Sequence, residues 1–553
     1  MEIREAIESL YPGKSADVMR SVEAVLQKYR GLAPPAPELS CQDTILITYG
    51  DSIRESGQSP LRSLDAFANR ELKSAISAIH LLPCFPYTSD DGFSVTDYYQ
   101  IDPNLGDWED IQQLRGSFDL MFDAVVNHIS KSSDWFQAFL EGDPKYQDYF
   151  LVADPGRDYS SVTRPRALPL LHPFRRGEEM VHVWTTFSED QVDLNYACPD
   201  VFVQVLDVLL FYVSKGAKYI RLDAIAFIWK RLGTSCMHLE EAHRIIKLYR
   251  TLIEQLAPGV AIISETNVPH KENVSYFGNG RDEAKLVYNF TLPPLLLHSL
   301  HQQDVTTLTQ WAGSLTLPSD ECCFFNFTAS HDGVGVRPLQ GIVPDDDVNS
   351  LAEIARAHGG FVSMRDNGDG TQSPYEINCN YLDFATSPEA PDEQRVQRFL
   401  LTQSVMLAMP GVPGVYYHSL LGSQNDRPAA IESGINRRIN RQKLDAPTVS
   451  DELRDPASLR HQVFSRYDAM LRVRRAEPLF DPFGAATYQQ SGRVFIIRRT
   501  GKTEDASLLA IHNFSDQPET VVELGDGRVD LLTGETLGSD SVTLQPFEYR
   551  WLK

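Results

Sequence analysis

Three short apolar runs, in chain order, each end in an acid, and this most restricts what the chain can fold into. They are Lys218-Tyr219-Ile220-Arg221-Leu222-Asp223-Ala224, Ala261-Ile262-Ile263-Ser264-Glu265 and Phe325-Asn326-Phe327-Thr328-Ala329-Ser330-His331-Asp332. In the first, Ile220 and Leu222 alternate with Tyr219, Arg221 and Asp223, so a strand's period of two sends both charges to one side. The segment before it is helical: Val201, Val205, Val208, Leu209 and Tyr212 recur at helical spacing, and Lys215-Gly216 ends the run. Helix, tight turn and buried strand ending in charge is the repeating unit of a (β/α) barrel, which gathers reactive groups at the C-terminal ends of its strands. Alone, Arg221-x-Asp223 reads as a structural ion pair at a strand end. Glu265 and Asp332 change that, because three strands now deliver a carboxylate to the same rim. Retaining cleavage of a glycoside needs two carboxyls about 5 Å apart, one as nucleophile and one as acid/base. A third can orient the sugar hydroxyls.

The rest of the chain fits the same architecture. Helical periodicity covers residues 1 to about 30, ahead of a Pro-rich break at Leu32-Ala33-Pro34-Pro35-Ala36-Pro37. Further barrel strands are expected at Thr44–Thr48, Ala78–Pro83, Leu120–Val126, Leu286–Phe290 and Gly411–Tyr417, with helices from Pro293 and over 395–408. The loop Ser89–Tyr98 crowds acids, aromatics and a glycine, a composition suited to gripping a polar ring, and Asn127-His128 ends the third strand. Two stretches, about 130–195 and 335–390, lack a βα repeat and are read as insertions. From about 480, short alternating runs at Arg493–Arg498, Ser507–His512 and Thr520–Leu524 predict a small antiparallel β domain. The expected fold is therefore α/β: a (β/α)8 barrel over 41–479 with two inserted segments, a helical extension over 1–40, and a C-terminal β domain over 480–553.

At 553 residues and 42% hydrophobic content the chain can bury a large core. A net charge of −24 argues against nucleic acid or an anionic membrane as partner. The N-terminus has no apolar signal core, and no apolar run is long enough to span a bilayer. The seven cysteines are scattered, without Cys-x-x-Cys spacing, which predicts reduced thiols and a cytoplasmic location.

Asp123 to His128, Arg221-Leu222-Asp223-Ala224, Glu265 and His331-Asp332 resemble, in order, the four short signature regions of the α-amylase family, and Gln191-Val192-Asp193-Leu194-Asn195 resembles its fifth. The resemblance covers the chain from about residue 42 to its end. It implies Asp223 as nucleophile, Glu265 as acid/base and Asp332 as transition-state stabiliser. A closer similarity is to the sucrose phosphorylase subfamily, carried by Asp90-Asp91-Gly92-Phe93, Arg164-Pro165-Arg166, Gly233-Thr234-Ser235-Cys236, Gly341–Asp345 and Ile439-Asn440-Arg441. Within it, the N-terminal extension, Trp229-Lys230 and Glu265–His270 resemble the phosphorylases that release glycerate from an α-glucoside.

That resemblance implies no metal and no cofactor. As partners it implies an α-glucoside and inorganic phosphate, and it allows a homodimer. Asp90 and Arg441 are expected to pair around the sugar's far hydroxyls, with Arg221, His128 and His331 completing the glucose pocket and Phe93 as an apolar platform. A phosphorylase must also hold a phosphate dianion beside acids, which calls for cations, arginine above all. Arg166 is the expected one, with Tyr375 and Glu376 on a mobile loop and Lys230 or Arg231 nearby; without the resemblance Arg166 reads equally as a solvated loop charge. The acceptor stays open among glycerate, glycerol, fructose and a phosphorylated fructose, with glycerate preferred. The rival classes are a hydrolase or transglucosylase of the same fold and a sugar-binding protein that does no chemistry.

Overall fold

The computed structural model describes residues 2–32, 37–166, 168–366, 370–501 and 506–553. Eight parallel strands close into a barrel: β1 (Ile45–Thr48), β2 (Ala78–Leu81), β3 (Asp119–Ala124), β4 (Ala217–Leu222), β5 (Ala261–Ser264), β6 (Leu286–Tyr288), β7 (Cys323–Phe327) and β8 (Val412–Tyr416). They pair in the order β1-β8-β7-β6-β5-β4-β3-β2, and β2 returns to β1. Helices cover the outside and side chains fill the inside, so the strands are buried on both faces and read in the sequence as near-continuous apolar runs.

The alternation in β4 becomes a stack of layers inside the barrel. At the bottom, Tyr219 donates its hydroxyl to Asp43 Oδ1 at 2.7 Å. One layer up, Asp123 of β3 lies in register with Arg221 and accepts from its Nη1 at 2.6 Å, while His80 Nε2 of β2 meets the other carboxylate oxygen at 3.0 Å. Asp223 follows at the top, just past the strand. Below, the fully buried Arg474, on the helix Leu459–Ala476, closes the barrel floor. Its guanidinium donates to the carbonyls of Cys41 (2.9 Å), Leu407 (3.1 Å) and Gly411 (3.0 Å), joining the barrel's first and last turns.

The stretch between β3 and the helix Pro199–Ser214 contains a short helix (Asp134–Glu141), the hairpin Leu171–Arg176 with Glu179–Trp184, and the strand pair His128–Ser130 with Gln191–Asp193. After β7 the stretch without a βα repeat is not unstructured. It instead forms the helix Asp345–Ala357 and a three-stranded sheet of Val334–Gly335, Gln372–Asn378 and Phe361–Asp366. Its pairing is antiparallel and the strand Gln372–Asn378 is half exposed, so polar residues interrupt the apolar pattern that marks a barrel strand. The helices Ile3–Leu10 and Ser15–Lys28 pack on the barrel through Tyr11 Oη to Tyr196 O (3.0 Å) and Lys28 Nζ to Asp207 Oδ1 (2.7 Å). Residues 33–36 of the Pro-rich break lie outside the described residues. The C-terminal strands Ala485–Ser491, Val494–Thr500, Ser507–Asn513 and Tyr549–Leu552 form an antiparallel sheet that docks through Trp551 Nε1 and His512 Nε2 on Ser404 Oγ, each at 2.9 Å. Among the described residues no helix is long and apolar enough to cross a membrane.

Candidate active site

The C-terminal ends of β4, β5 and β7 bring Asp223, Glu265 and Asp332 to one pocket, lined also by Asp90, Phe93, His128, Arg166, His331 and Tyr375. Arg221 lies beneath and ties the acids together: Nη1 donates to Asp223 Oδ1 at 2.8 Å, and Nη2 stands 3.8 Å from Glu265 Oε2. Ala224 adopts the left-handed region (φ 48°), which a side chain adopts at a cost, and there its N–H donates to Glu265 Oε2 at 3.2 Å. Local strain thus supplies one of Glu265's hydrogen bonds.

Burial pushes both the Asp223 and Glu265 carboxyls up; the Glu265 charge adds to the rise at Asp223, and the Asp332 charge adds to that at Glu265. Two such carboxyls beside one guanidinium share a proton. The hydrogen bonds favour Glu265 as its holder, because Asp223 has the direct 2.8 Å contact with Arg221 and Glu265 does not. Asp332 goes the other way. Burial alone would raise it, but the charges of Arg437 and Arg441 outweigh burial and hold it well below the carboxylate range. Its ion pair with Arg437 Nη1 is 2.5 Å long, and Arg441 Nη2 follows at 3.6 Å.

The pocket walls offer groups suited to a sugar. Phe93 and His331 stack at 4.8 Å with an interplanar angle of 4°. Burial, helped by Arg441 and Arg221, lowers His331 to about 3, so its ring is neutral and free to share a hydrogen bond with a hydroxyl. Burial lowers His128 too; its Nε2 meets Phe93 O at 2.9 Å. Asp90 Oδ2 accepts from Arg166 Nη2 at 2.8 Å and from Gln191 Nε2 at 3.2 Å. Arg166 also lies over the Phe187 ring, 5.7 Å from its centre.

Two expectations require correction. Asp90 does not pair with Arg441. Arg441 Nη1 instead donates to Asp91 Oδ2 at 2.7 Å, joined by Arg438 Nη2 to Asp91 Oδ1 at 3.0 Å, and Asp90 takes Arg166. Asp90 and Asp91 are both left-handed (φ 55° and 48°), a double turn that sends neighbouring carboxylates to different partners. Lys230 does not face the pocket. Its Nζ is buried against Asp193 Oδ2 (2.6 Å), Asn127 Oδ1 (3.1 Å) and Phe227 O (2.5 Å), so it is a structural tie to the segment after β3. Arg231 is half exposed and paired with Glu241. Tyr375 lines the pocket, whereas Glu376 lines only the adjoining groove, is almost wholly buried, and is held by Arg437 in a two-point contact (3.0 and 2.7 Å).

Sequence reasoning missed Arg437, which clamps Asp332 and Glu376, and quoted Asp123 only as part of a signature region, without its role of balancing Arg221. It also missed Arg337 on the pocket wall, and it quoted Gln191 and Asn267 within motifs without giving them a place there. The available signal for Arg437 was the run Asn436-Arg437-Arg438-Ile439-Asn440-Arg441, where three guanidiniums crowd one short turn. Among the described residues no cluster of His, Cys, Asp and Glu has the makings of a metal site.

An eight-stranded barrel carrying these acids in this order defines a class, and the comparisons agree with it: the α-amylase catalytic-domain model matches residues 72–331, and the chain belongs to the α-amylase family. Its relatives narrow the placement. A glucosylglycerate phosphorylase of Escherichia coli (strain K12) is 44% identical over 512 residues, 92% of each chain. One from Allomeiothermus silvanus is 46% identical over 514 residues, 92% of this chain and 91% of its own length. The crystal structure of sucrose 6F-phosphate phosphorylase from Thermoanaerobacter thermosaccharolyticum superposes with a TM-score of 0.76 at 24% identity, covering 92% of this chain and 99% of that one, which is a likeness of fold.

Proposed function

We propose that the protein is a retaining glycoside phosphorylase that cleaves 2-O-α-glucosylglycerate with inorganic phosphate, giving α-glucose 1-phosphate and glycerate. The observation that carries this is the pocket's division: Asp223 and Glu265 at its floor, and the guanidiniums of Arg166, Arg337 and Arg437 on its wall. Water needs no cation to enter such a site, whereas phosphate and glycerate both do. The 44–46% identity to glucosylglycerate phosphorylases over 92% of the chain supports the same acceptor.

In this reading Glu265 gives its proton to the glycosidic oxygen while Asp223 attacks the anomeric carbon from the opposite face, and glycerate leaves. A β-glucosyl ester on Asp223 remains. Phosphate then takes glycerate's place. Glu265, now a carboxylate, accepts a proton from a phosphate hydroxyl as its oxygen attacks the anomeric carbon, and Asp223 is released. Two inversions give net retention. Asp332 holds the sugar hydroxyls as the ring flattens, and Asp90, Phe93, His128 and His331 shape the glucose pocket. The seven cysteines are all free, which suits a reducing compartment, and we place the enzyme in the cytoplasm.

The test is an acceptor panel. With α-glucose 1-phosphate as donor, phosphate release should be fastest with glycerate and slower with glycerol and fructose. Faster synthesis of sucrose than of glucosylglycerate would overturn the acceptor assignment, and release of phosphate with water alone at the same rate would overturn the phosphorylase reading.

A further inference from the structure

Arg337 stands apart from the other guanidiniums of the pocket. Arg166 is bound to Asp90 at 2.8 Å, and Arg437 is held by Asp332 and Glu376. Arg337 lines the same pocket, yet its Nε is buried without an acceptor, and no ion pair engages it among the described residues. A buried donor left unpaired is costly, and native structures rarely keep one without a ligand or water to take it. Arg337 also lines the wider groove at the mouth, shared with Arg166, Tyr375 and Arg437, so it spans the passage from solvent to the acids.

Its position is set by rigid neighbours. Val334–Gly335 pairs with Glu376–Ile377, and Val336 N donates to Tyr375 O at 3.2 Å, which fixes Arg337 beside Tyr375. Gly335 packs so closely on Asn267 that a Cβ there would lie 2.2 Å from Nδ2, seating this strand against the loop that follows Glu265. Asn267 lines the pocket as well, and its Oδ1 is another buried atom without a partner. Among the described residues, a guanidinium and an amide oxygen without partners thus sit together beside the loop that follows the acid/base.

We propose that Arg337 is the specificity-determining anion reader of this site: its guanidinium binds the glycerate carboxylate and, in the second half-reaction, the phosphate, while Asn267 Oδ1 accepts from the acceptor's free hydroxyl. The proposal rests on the phosphorylase reading above and assigns to Arg337 the role that sequence reasoning gave to Arg166, which Asp90 already occupies.

Two measurements test it, with wild type, Arg337→Ala and Arg337→Lys. In the first, α-glucosyl fluoride charges Asp223 and the glucosyl group partitions between phosphate and water. Wild type should give mainly α-glucose 1-phosphate; Arg337→Ala should shift the ratio towards glucose by about tenfold or more at equal phosphate, with Arg337→Lys between them. In the second, the ratio of kcat/KM for glycerate to that for glycerol, with α-glucose 1-phosphate as donor, should fall by a similar factor in Arg337→Ala. A partition ratio unchanged in both variants, or equal losses on glycerate and glycerol, would overturn the proposal. Failure of wild type itself to form α-glucose 1-phosphate from the fluoride would instead overturn the phosphorylase reading. Ratios are read within each variant, so a partly folded preparation does not mimic the effect.

Discussion

Removing Arg437 should make the protein's stability depend on pH in a way the wild type's does not. Arg437 bridges Asp332 at 2.5 Å and grips Glu376 at 2.7 and 3.0 Å, and the three side chains are 25%, 21% and 5% exposed. Truncating one partner of a buried ion pair costs about 3–5 kcal/mol, because the other charge is left uncompensated. Partial exposure and the remaining Arg441, 3.6 Å from Asp332, place Arg437→Ala at the lower end, about 3 kcal/mol near neutral pH. The sign follows from protonation. In the wild type Asp332 is depressed, so its contribution is present above its unfolded pKa, near 4, and is lost only as pH falls through the lower folded value. In Arg437→Ala, Asp332 loses its largest opposing charge, burial pushes its carboxyl up, and proton uptake there restores stability as pH falls. Thermal unfolding of both proteins from pH 8 to pH 5 measures this. The gap in Tm should be several degrees at pH 8 and should shrink by half or more at pH 5. A gap that is the same across that range would refute the argument and reduce Arg437 to a packing group.

Lys230→Ala should lower thermal stability and leave Asp193 buried without its cation, with a smaller effect on the KM for phosphate than Arg337→Ala produces; a selective loss of phosphate binding would return Lys230 to the acceptor site. Arg474→Ala leaves three barrel-floor carbonyls without their donor and should destabilise by about 3 kcal/mol or more, read as a fall in Tm. Glu265→Gln should lose far more rate on glucosylglycerate than on α-glucosyl fluoride, whose leaving group needs no proton; equal losses would reassign the acid/base. Because burial raises Glu265, wild-type cleavage of glucosylglycerate should decline as pH rises through that elevated pKa, and the same limb should be absent for the fluoride.

The barrel was legible because its strands are buried on both faces and announce themselves as apolar runs, and because an acid directly after such a run has few places to go but the rim. Asp223 and Glu265 follow that logic directly, and Asp332 follows it five residues past the end of its strand. What the sequence hid depends on loops meeting across long separations. Asp90 and Asp91 are adjacent acids in one turn, and only its two left-handed residues decide which meets Arg166 and which meets Arg441. Lys230 reads as a pocket cation only through the resemblance carried by Trp229-Lys230, and Asp193, from the segment after β3, draws it away. Arg337 and Arg437 sit in short 3-10 turns whose composition says nothing of where the side chains point.

The central claim is transfer of glucose to phosphate with retention through an ester on Asp223, and the anomer of the first product tests it most directly. Phosphorolysis of 2-O-α-glucosylglycerate followed by NMR from the first minutes should show α-glucose 1-phosphate and glycerate appearing together, and no product with Asp223→Asn. Appearance of β-glucose 1-phosphate, of free glucose at a rate indifferent to phosphate, or of product from Asp223→Asn would contradict the account.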